Sequence, residues 1–186
     1  MILLVDLCNK PKSLSRNEFI GPVARIVTNA GYPWQIVHFT DVSDEDVRNA
    51  DGIILCGTAL QDNVFASQNE RFAWLRSVKV PVLGICAGMQ AICIQYGGSL
   101  RKADEIGMTT VRISNQDPLL GDRVTFEAYE LHSFACDGPL DWIVTARSDT
   151  CVQSIRNPDK QIYGVMFHPE VRNDVVVERF CALCRH

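Results

Sequence analysis

A single cysteine, Cys86, stands where a short apolar run gives way to a helical pattern. Residues 80–85 form a continuous run of strand-forming residues, which is typical of a strand covered on both faces. The following residues have helical spacing, and the small neighbours Gly84 and Gly88 let strand and helix approach closely. A side chain at such a bend points out of the sheet, where the helix N-terminus favours a thiolate over a thiol. The pattern predicts a nucleophilic cysteine; an inert buried thiol is the alternative.

A second strand-like stretch, residues 164–170, ends in His168, Pro169 and Glu170. In an extended chain residues i and i+2 point to the same side, so the histidine and the glutamate share a face. The proline between them stiffens the link. A carboxylate placed in this way can hold the imidazole in one tautomer while its other nitrogen faces a thiol. We therefore predict a catalytic triad of Cys86, His168 and Glu170, against the alternative of an ordinary histidine at a strand end.

The two motifs together resemble those of the class I (triad) glutamine amidotransferases. They read Gly-Ile-Cys-Ala-Gly-Met-Gln at residues 84–90 and Phe-His-Pro-Glu at residues 167–170, and the resemblance covers essentially the whole chain. It implies that Cys86 attacks the side-chain amide of L-glutamine, releases ammonia and forms a glutamyl thioester that water hydrolyses. It further implies that His168 transfers the protons and that Glu170 orients His168.

The resemblance also implies an oxyanion hole, because the tetrahedral intermediate requires two hydrogen-bond donors aimed at its oxygen. The backbone N–H groups of Ala87 and Thr58 are expected to supply them. The family usually carries a Gly-Gly-Pro loop here, whereas this chain reads Cys-Gly-Thr-Ala at residues 56–59. Threonine adopts a positive φ less readily than glycine, so we expect a less efficient oxyanion hole.

Four further residues match positions that contact the substrate in the family. The implied substrate-binding residues are Gly57, Gln90, Ser133 and Phe134. Ordinary helix packing is the alternative for Gln90. We expect His132 to shape the loop before Ser133 rather than to act as a second base, because His168 already supplies one.

The order of strand and helix patterns predicts an α/β fold. Strands alternate with helices in the first half, which indicates right-handed βαβ units around a parallel sheet. Short alternating runs follow at residues 107–114, 124–130, 142–148 and 151–156. They indicate a small antiparallel region. The resemblance implies a three-layer, flavodoxin-like arrangement with a mostly parallel central sheet, helices on both faces and a single amidotransferase domain over residues 1–186.

Helix boundaries in the first half are less sharply marked. Ser15 and Glu18 match a capping box, whereas Pro22 suits the first turn of a helix better than its middle. The acidic residues 41–46 fit the first turn of a short helix, where the dipole favours carboxylates, with a metal site as the sharper alternative. A longer helix is predicted from about residue 65 to residue 77.

Composition excludes several classes of function. The formal net charge of −4 argues against nucleic acid as the main partner, and no apolar run approaches the length of about 20 residues that a membrane span requires. We expect no leader segment, and eight scattered cysteines then indicate reduced thiols in the cytoplasm. Cys181 and Cys184 with His186 resemble half a zinc site, but no second pair has matching spacing, so no metal is predicted.

We expect no cofactor and no acceptor site within this chain, since it lacks a Gly-rich phosphate loop. The resemblance then implies a partner synthase on a separate polypeptide. Residues 117–119 and 162–165 look most like the separate amidotransferase subunit of GMP synthase, whereas residues 131–134 look more like the anthranilate or aminodeoxychorismate synthase subunit. A stand-alone γ-glutamyl hydrolase and a non-catalytic binding module also fit the pattern.

Overall fold

Nine strands form one mixed sheet in the computed structural model, which describes residues 1–184. The strands are β1 (Ile2–Asp6), β2 (Trp34–His38), β3 (Gly52–Leu55), β4 (Val82–Ile85), β5 (Leu100–Ile113), β6 (Thr125–Cys136), β7 (Ile143–Arg147), β8 (Val152–Arg156) and β9 (Ile162–Val165). The helices are α1 (Ser15–Asn29), α2 (Asp44–Asn49), α3 (Val64–Ser67), α4 (Ala87–Gln95) and α5 (Val175–Leu183), with a 3-10 helix at Asn69–Arg76.

The sheet has a parallel half, in which alternate residues of each strand face two different cores. The strand order is β2-β1-β3-β4-β9-β8-β7-β5-β6, and the first five strands are parallel to one another. Leu4 packs in the core that includes residues of α1 and α5, whereas Leu3 packs with residues of α4 and the 3-10 helix. Burial on both faces explains the continuous apolar runs of these strands. The predicted three-layer α/β fold is therefore confirmed.

The antiparallel half extends the same sheet and is larger than the sequence patterns indicated. Strands β8, β7, β5 and β6 pair antiparallel in turn, and β5 and β6 have 14 and 12 residues. The first half of β5 escaped prediction because charged residues, including Lys102 and Asp104, occupy its outer face. A register shift between Lys102 and Glu105 also breaks the simple alternation.

The helix predictions were partly wrong. Helix α1 begins at Ser15, but no side chain caps its N-terminus. Pro22 lies inside α1, where the buried apolar face of the helix outweighs the hydrogen bond that the proline cannot make. The capping box is found instead at α2, between Ser43 and Asp46, so the acidic residues there do form a first helical turn. The single helix predicted over residues 65–77 is divided into α3 and the 3-10 helix.

Among the described residues no helix is long and apolar enough to cross a membrane.

Close packing of the bend between β4 and α4 depends on its glycines. A Cβ at Gly84 would lie 2.6 Å from the backbone nitrogen of Met89, and a Cβ at Gly88 would lie 2.7 Å from the Cβ of Leu55 and closer still to the carbonyl oxygen of Leu55. Real Cβ atoms do not approach backbone so closely, so α4 could not stay against β3 and β4 without moving.

We expect Gly88→Ala to lower the free energy of unfolding by about 1–3 kcal/mol, because the added methyl group forces α4 away from the sheet. Gly21→Ala is the matched control, since nothing lies within 4 Å of the position its methyl group would take. Its effect on the free energy of unfolding should stay below about 1 kcal/mol, because the helix propensity of alanine is opposed by Pro22, which disfavours the helical conformation for a non-glycine residue before it. Urea unfolding of the two variants checks this prediction. Equal stability of Gly88→Ala and the parent chain would show that the bend is loosely packed.

Candidate active site

Cys86 forms a strained bend between β4 and α4. Its backbone has φ 48° and ψ −103°, a left-handed conformation that non-glycine residues rarely adopt. The bend is held on both sides, because Cys86 N–H donates to the carbonyl oxygen of Val165 at 2.8 Å and Cys86 C=O accepts from Gln90 N–H at 3.0 Å. The thiol is 3% exposed and lies 3.7 Å from the carbonyl oxygen of Leu131. This geometry presents the sulfur at the N-terminus of α4.

His168 and Glu170 form a buried pair just beyond β9. The imidazole Nδ1 lies 2.7 Å from Oε1 of Glu170, and both side chains are 1% exposed. The backbone N–H of His168 donates to the carbonyl oxygen of Tyr129 at 2.9 Å, which fixes the strand end against β6. Burial alone lowers the pKa of His168, but the charges of Cys86 and Glu170 raise it well above its ordinary value. The imidazolium form of His168 is therefore favoured beside a Cys86 thiolate.

Gly57 fills the space where Cys86 and His168 meet. A Cβ at this position would lie 2.7 Å from Cε1 of His168 and 3.7 Å from the Cβ of Cys86. Any side chain at residue 57 would therefore push the imidazole away from the cysteine. Gly57 was predicted to bind substrate, and the structure places it against the histidine ring rather than in the wall of the adjoining pocket.

A pocket opens directly above Cys86. Three segments line it: residues 58–65, the first turn of α4, and residues 131–134 of β6. The predicted site residues in its wall are Thr58, Cys86, Ala87, Gln90, Ser133 and Phe134. The structure thus brings together residues that are up to 76 positions apart in the chain.

Gln90 connects two walls of this pocket. Its side-chain nitrogen donates to the carbonyl oxygen of Phe134 at 2.7 Å, and the residue is 5% exposed. The contact fixes the backbone of residues 133 and 134 relative to the helix that carries Cys86. In this structure Gln90 is therefore a support for the pocket wall as well as part of its lining.

The loop at Thr58 differs from the expectation drawn from its sequence. Thr58 does not have a positive φ; the non-glycine residues that do, within residues 1–184, are Lys12, Cys86 and Asn173. Its hydroxyl group donates to Oδ2 of Asp62 at 2.8 Å, and the residue is 4% exposed. The loop is thus held by a side-chain hydrogen bond that a glycine could not make, and no backbone strain arises at Thr58.

A second buried set of reactive side chains lies behind the pocket, and sequence reasoning missed it. Ligand atoms of Glu105, His132 and Cys151 all lie within 4.8 Å of one another. His132 lines the pocket as well, which agrees with its expected role in shaping the loop. The available signal was the alternation in β5 and β6, where inward-facing positions carry Glu105, Glu130 and His132 instead of apolar residues.

Cys181 lies in α5, and Cys184 follows the last residue of that helix. Cys184 donates its thiol to the carbonyl oxygen of Phe180 at 3.3 Å. Burial raises the pKa of Cys184 to about 12, with a further rise from the charge of Cys181. His186, the third member of the half zinc site considered above, lies outside the described residues.

Comparison with known proteins places this geometry in a family. The sequence profile of the glutamine amidotransferase class-I family matches residues 17–179. A GMP synthase (glutamine-hydrolyzing) subunit of Methanosarcina acetivorans is 32% identical over 178 residues, which cover 90% of this chain and 92% of that protein. The same subunit of Methanococcus maripaludis strain C7 is 34% identical with the same coverage.

Solved structures agree with this assignment. A protein of Thermoplasma acidophilum that has been assigned as the same GMP synthase subunit superposes with a TM-score of 0.86 at 25% identity, covering 98% of this chain and 92% of that chain. A glutamine amidotransferase of Methylobacillus flagellatus superposes with a TM-score of 0.70 at 18% identity, covering 94% of this chain and 72% of that one, and so shows the fold alone. The chain belongs to the class-I glutamine amidotransferase family.

Proposed function

We propose that this single-domain amidotransferase hydrolyses L-glutamine to glutamate and ammonia at Cys86 and delivers the ammonia to a separate GMP synthase subunit. The observation that carries the proposal is the strained bend that presents Cys86 in the pocket lining, next to His168 of the His168–Glu170 pair. A strand–turn–helix bend of this kind serves to expose a nucleophile.

The reaction proceeds in two halves. His168 takes the proton of the Cys86 thiol, and the sulfur attacks the side-chain amide carbon of glutamine. His168 then returns a proton to the leaving nitrogen, so that ammonia departs and a glutamyl thioester remains on Cys86. In the second half His168 removes a proton from water, which attacks the thioester and releases glutamate. Glu170 holds the Nδ1 side of the ring throughout, which leaves Nε2 for these transfers.

Oxyanion stabilisation is assigned to backbone donors on two sides of the pocket. The N–H of Ala87 lies in the first turn of α4, where the helix dipole adds to its effect. The N–H of Thr58 is the second proposed donor, on a loop held by the bond from Thr58 to Asp62. Substrate contacts are assigned to Gln90, Ser133 and Phe134, whereas Gly57 serves substrate binding indirectly, by leaving room for His168.

Cys86 is favoured over Cys151, although each has a histidine and a glutamate nearby. Cys86 lines the pocket and sits at a helix N-terminus, whereas Cys151 precedes β8 and does not line this pocket. The thiol of Cys151 donates to Oε2 of Glu105 at 3.1 Å, and burial raises its pKa. A buried, protonated thiol is a poor nucleophile.

The choice of GMP synthase as partner is supported by the relatives. The two proteins compared above are each named as one glutamine-hydrolyzing subunit of that enzyme, and the matched region spans 92% of each. By analogy with these subunits, the acceptor site is assigned to a partner polypeptide. We place the protein in the cytoplasm, with no role for nucleic acid or membrane.

We expect Thr58→Val to lower kcat for glutamine hydrolysis about fivefold with little change in KM. Valine has the same shape but cannot bond to Asp62, so the loop that carries the proposed oxyanion donor is released, and one such bond contributes about 1 kcal/mol. Steady-state kinetics check the prediction, with Thr110→Val as a control for an exposed threonine–glutamate bond outside the pocket. A change confined to KM would assign Thr58 to substrate binding instead.

Glutamine hydrolysis should be slow in the isolated chain and rise at least tenfold when the partner synthase and its activated acceptor are present. The pocket wall consists largely of the 58–63 and 131–134 segments, so a partner pressing on them can align the oxyanion donors. A tenfold gain requires only about 1.4 kcal/mol at the transition state. Glutamate release measured with and without the acceptor-activating polypeptide of GMP synthase tests this. Full activity of the chain alone, unchanged by that polypeptide, would favour a stand-alone γ-glutamyl hydrolase.

A further inference from the structure

Four buried side chains that the proposed reaction does not use converge between β5, β6 and the start of β8. They are Glu105, Glu130, His132 and Cys151, and each is less than one-tenth exposed. Buried ionisable groups are costly unless they are paired or bind a cation. Their presence in one place therefore requires a chemical explanation.

Hydrogen bonding selects which nitrogen of His132 faces the cluster. Nδ1 lies 3.0 Å from the carbonyl oxygen of Ala103, an acceptor, so Nδ1 carries a proton. Nε2 is directed at the carboxylates, 3.5 Å from Oε2 of Glu105 and 3.3 Å from Oε2 of Glu130. A histidine whose Nδ1–H donates to a backbone carbonyl is oriented to bind a metal through Nε2.

Glu130 is the second, independent observation. It is 0% exposed, and neither of its carboxylate oxygens makes a hydrogen bond among the described residues. Burial raises the pKa of Glu130, against the opposing effect of His132. A buried carboxylate without hydrogen-bond donors, 3.3 Å from a histidine nitrogen, is placed to bind a cation held by that nitrogen.

We propose that Glu105, His132 and Cys151, whose ligand atoms lie within 4.8 Å of one another, bind zinc, and that Glu130, beside His132, moves in to complete a structural site. Zinc takes four ligands in a tetrahedron, and bonds of about 2.0–2.3 Å separate the donor atoms by roughly 3.3–3.8 Å. The observed separations are 3.1 Å from Cys151 Sγ to Glu105 Oε2, and 3.5 and 3.3 Å from His132 Nε2 to Glu105 and Glu130. One imidazole, one thiolate and two carboxylates suit zinc better than the oxygen-binding magnesium or calcium.

A further contact supports the orientation of these ligands. The side-chain nitrogen of Gln153 donates to Oε2 of Glu105 at 2.8 Å. Such outer hydrogen bonds are commonly found around metal-binding carboxylates. Since all four positions are filled by protein, the site has no open position for a reacting molecule and acts on stability rather than on catalysis.

When zinc binds, one ion replaces two protons, one from Cys151 and one from His132. Without metal the cluster holds a protonated thiol on Cys151, which donates to Glu105, and a proton on His132 Nε2, which faces the carboxylates of Glu105 and Glu130. Zinc displaces both protons to solvent, and the freed lone pairs bind the ion. The cluster carries one net negative charge before and after, so the exchange adds no buried charge. No electron transfer occurs.

The test uses the full chain, stripped with a chelator and titrated with Zn²⁺ and with Co²⁺ as a spectroscopic probe. We expect one equivalent of metal per chain, a thiolate-to-cobalt charge-transfer band and a higher Tm with zinc. Cys151→Ser should lose the charge-transfer band. Glu130→Gln, which keeps the size of the side chain, should weaken zinc binding at least tenfold. Cys184→Ser is the matched control and should bind metal as the parent chain does.

Two outcomes would overturn the proposal. One is substoichiometric binding by the parent chain at every zinc concentration that leaves the protein in solution. The other is a charge-transfer band that survives in Cys151→Ser and disappears in Cys184→Ser, because the metal would then lie at the end of α5. Elemental analysis and absorption spectra report these results without reference to glutamine hydrolysis, so they stand whether or not the proposed function holds.

Discussion

Replacing Cys86 by serine should reduce glutamine hydrolysis by at least about 10³-fold, which is about 4 kcal/mol at the transition state. The hydroxyl group fits the same space but is far harder to deprotonate than the thiol, and no thioester can form. The fold should be retained, because serine tolerates the bend and makes the same backbone bonds to Val165 and Gln90. Glutamate release under saturating glutamine measures the effect.

Cys184→Ser is the matched control for this substitution. Within residues 1–184 its thiol donates to the carbonyl oxygen of Phe180 in α5, and a serine hydroxyl can make the same bond. Turnover should stay within twofold of the parent chain. If Cys151→Ser abolished turnover while Cys86→Ser left it intact, the nucleophile would belong to the cluster assigned above to zinc.

Replacing Glu170 by glutamine should reduce kcat on the order of 10³-fold. The side chain keeps its size, but the negative charge that helps to raise the pKa of His168 is lost, so the imidazolium becomes less stable. Glutamine can also present its amide nitrogen to Nδ1, which would favour the wrong tautomer. Both effects act on proton transfer, so kcat should fall much more than glutamine affinity.

The pKa of His168 distinguishes an electrostatic role of Glu170 in proton transfer from a role in packing alone. NMR of the histidine ring should show that the pKa of His168 falls in Glu170→Gln, because the largest remaining effect of its environment is burial, which favours the neutral ring. Glu178→Gln, on the exposed side of α5, should change neither that pKa nor kcat. A loss of activity with an unchanged His168 titration would mean that Glu170 acts only through packing.

The sequence predicted the parallel half of the fold well because its physical signals are local. Strands buried on both faces read as continuous apolar runs, and the bend at Cys86 is marked by Gly84 and Gly88. The pairing of His168 with Glu170 was also predicted from their spacing, but the structure places both residues beyond the end of β9 and not in an extended strand. These features needed no knowledge of distant contacts.

Features that depend on distant pairing were not predictable in the same way. The start of β5 carries exposed charges, so its extent is set by pairing with β6 rather than by its own pattern. The bond from Gln90 to Phe134 and the bond from Thr58 to Asp62 arise only when the loops meet. The cluster of Glu105 and Cys151 joins residues 46 positions apart, and no spacing rule would have selected them.

The most direct test of a glutamine-derived thioester at Cys86 is covalent trapping. A glutamine analogue with a chloromethyl ketone in place of the side-chain amide should alkylate one thiol per chain, and peptide mass mapping should place the adduct on Cys86. Excess L-glutamine should slow the labelling, and Cys86→Ser should abolish it. Labelling of Cys151 or of the Cys181–Cys184 pair instead, or labelling of Cys86 that glutamine does not slow, would contradict the account.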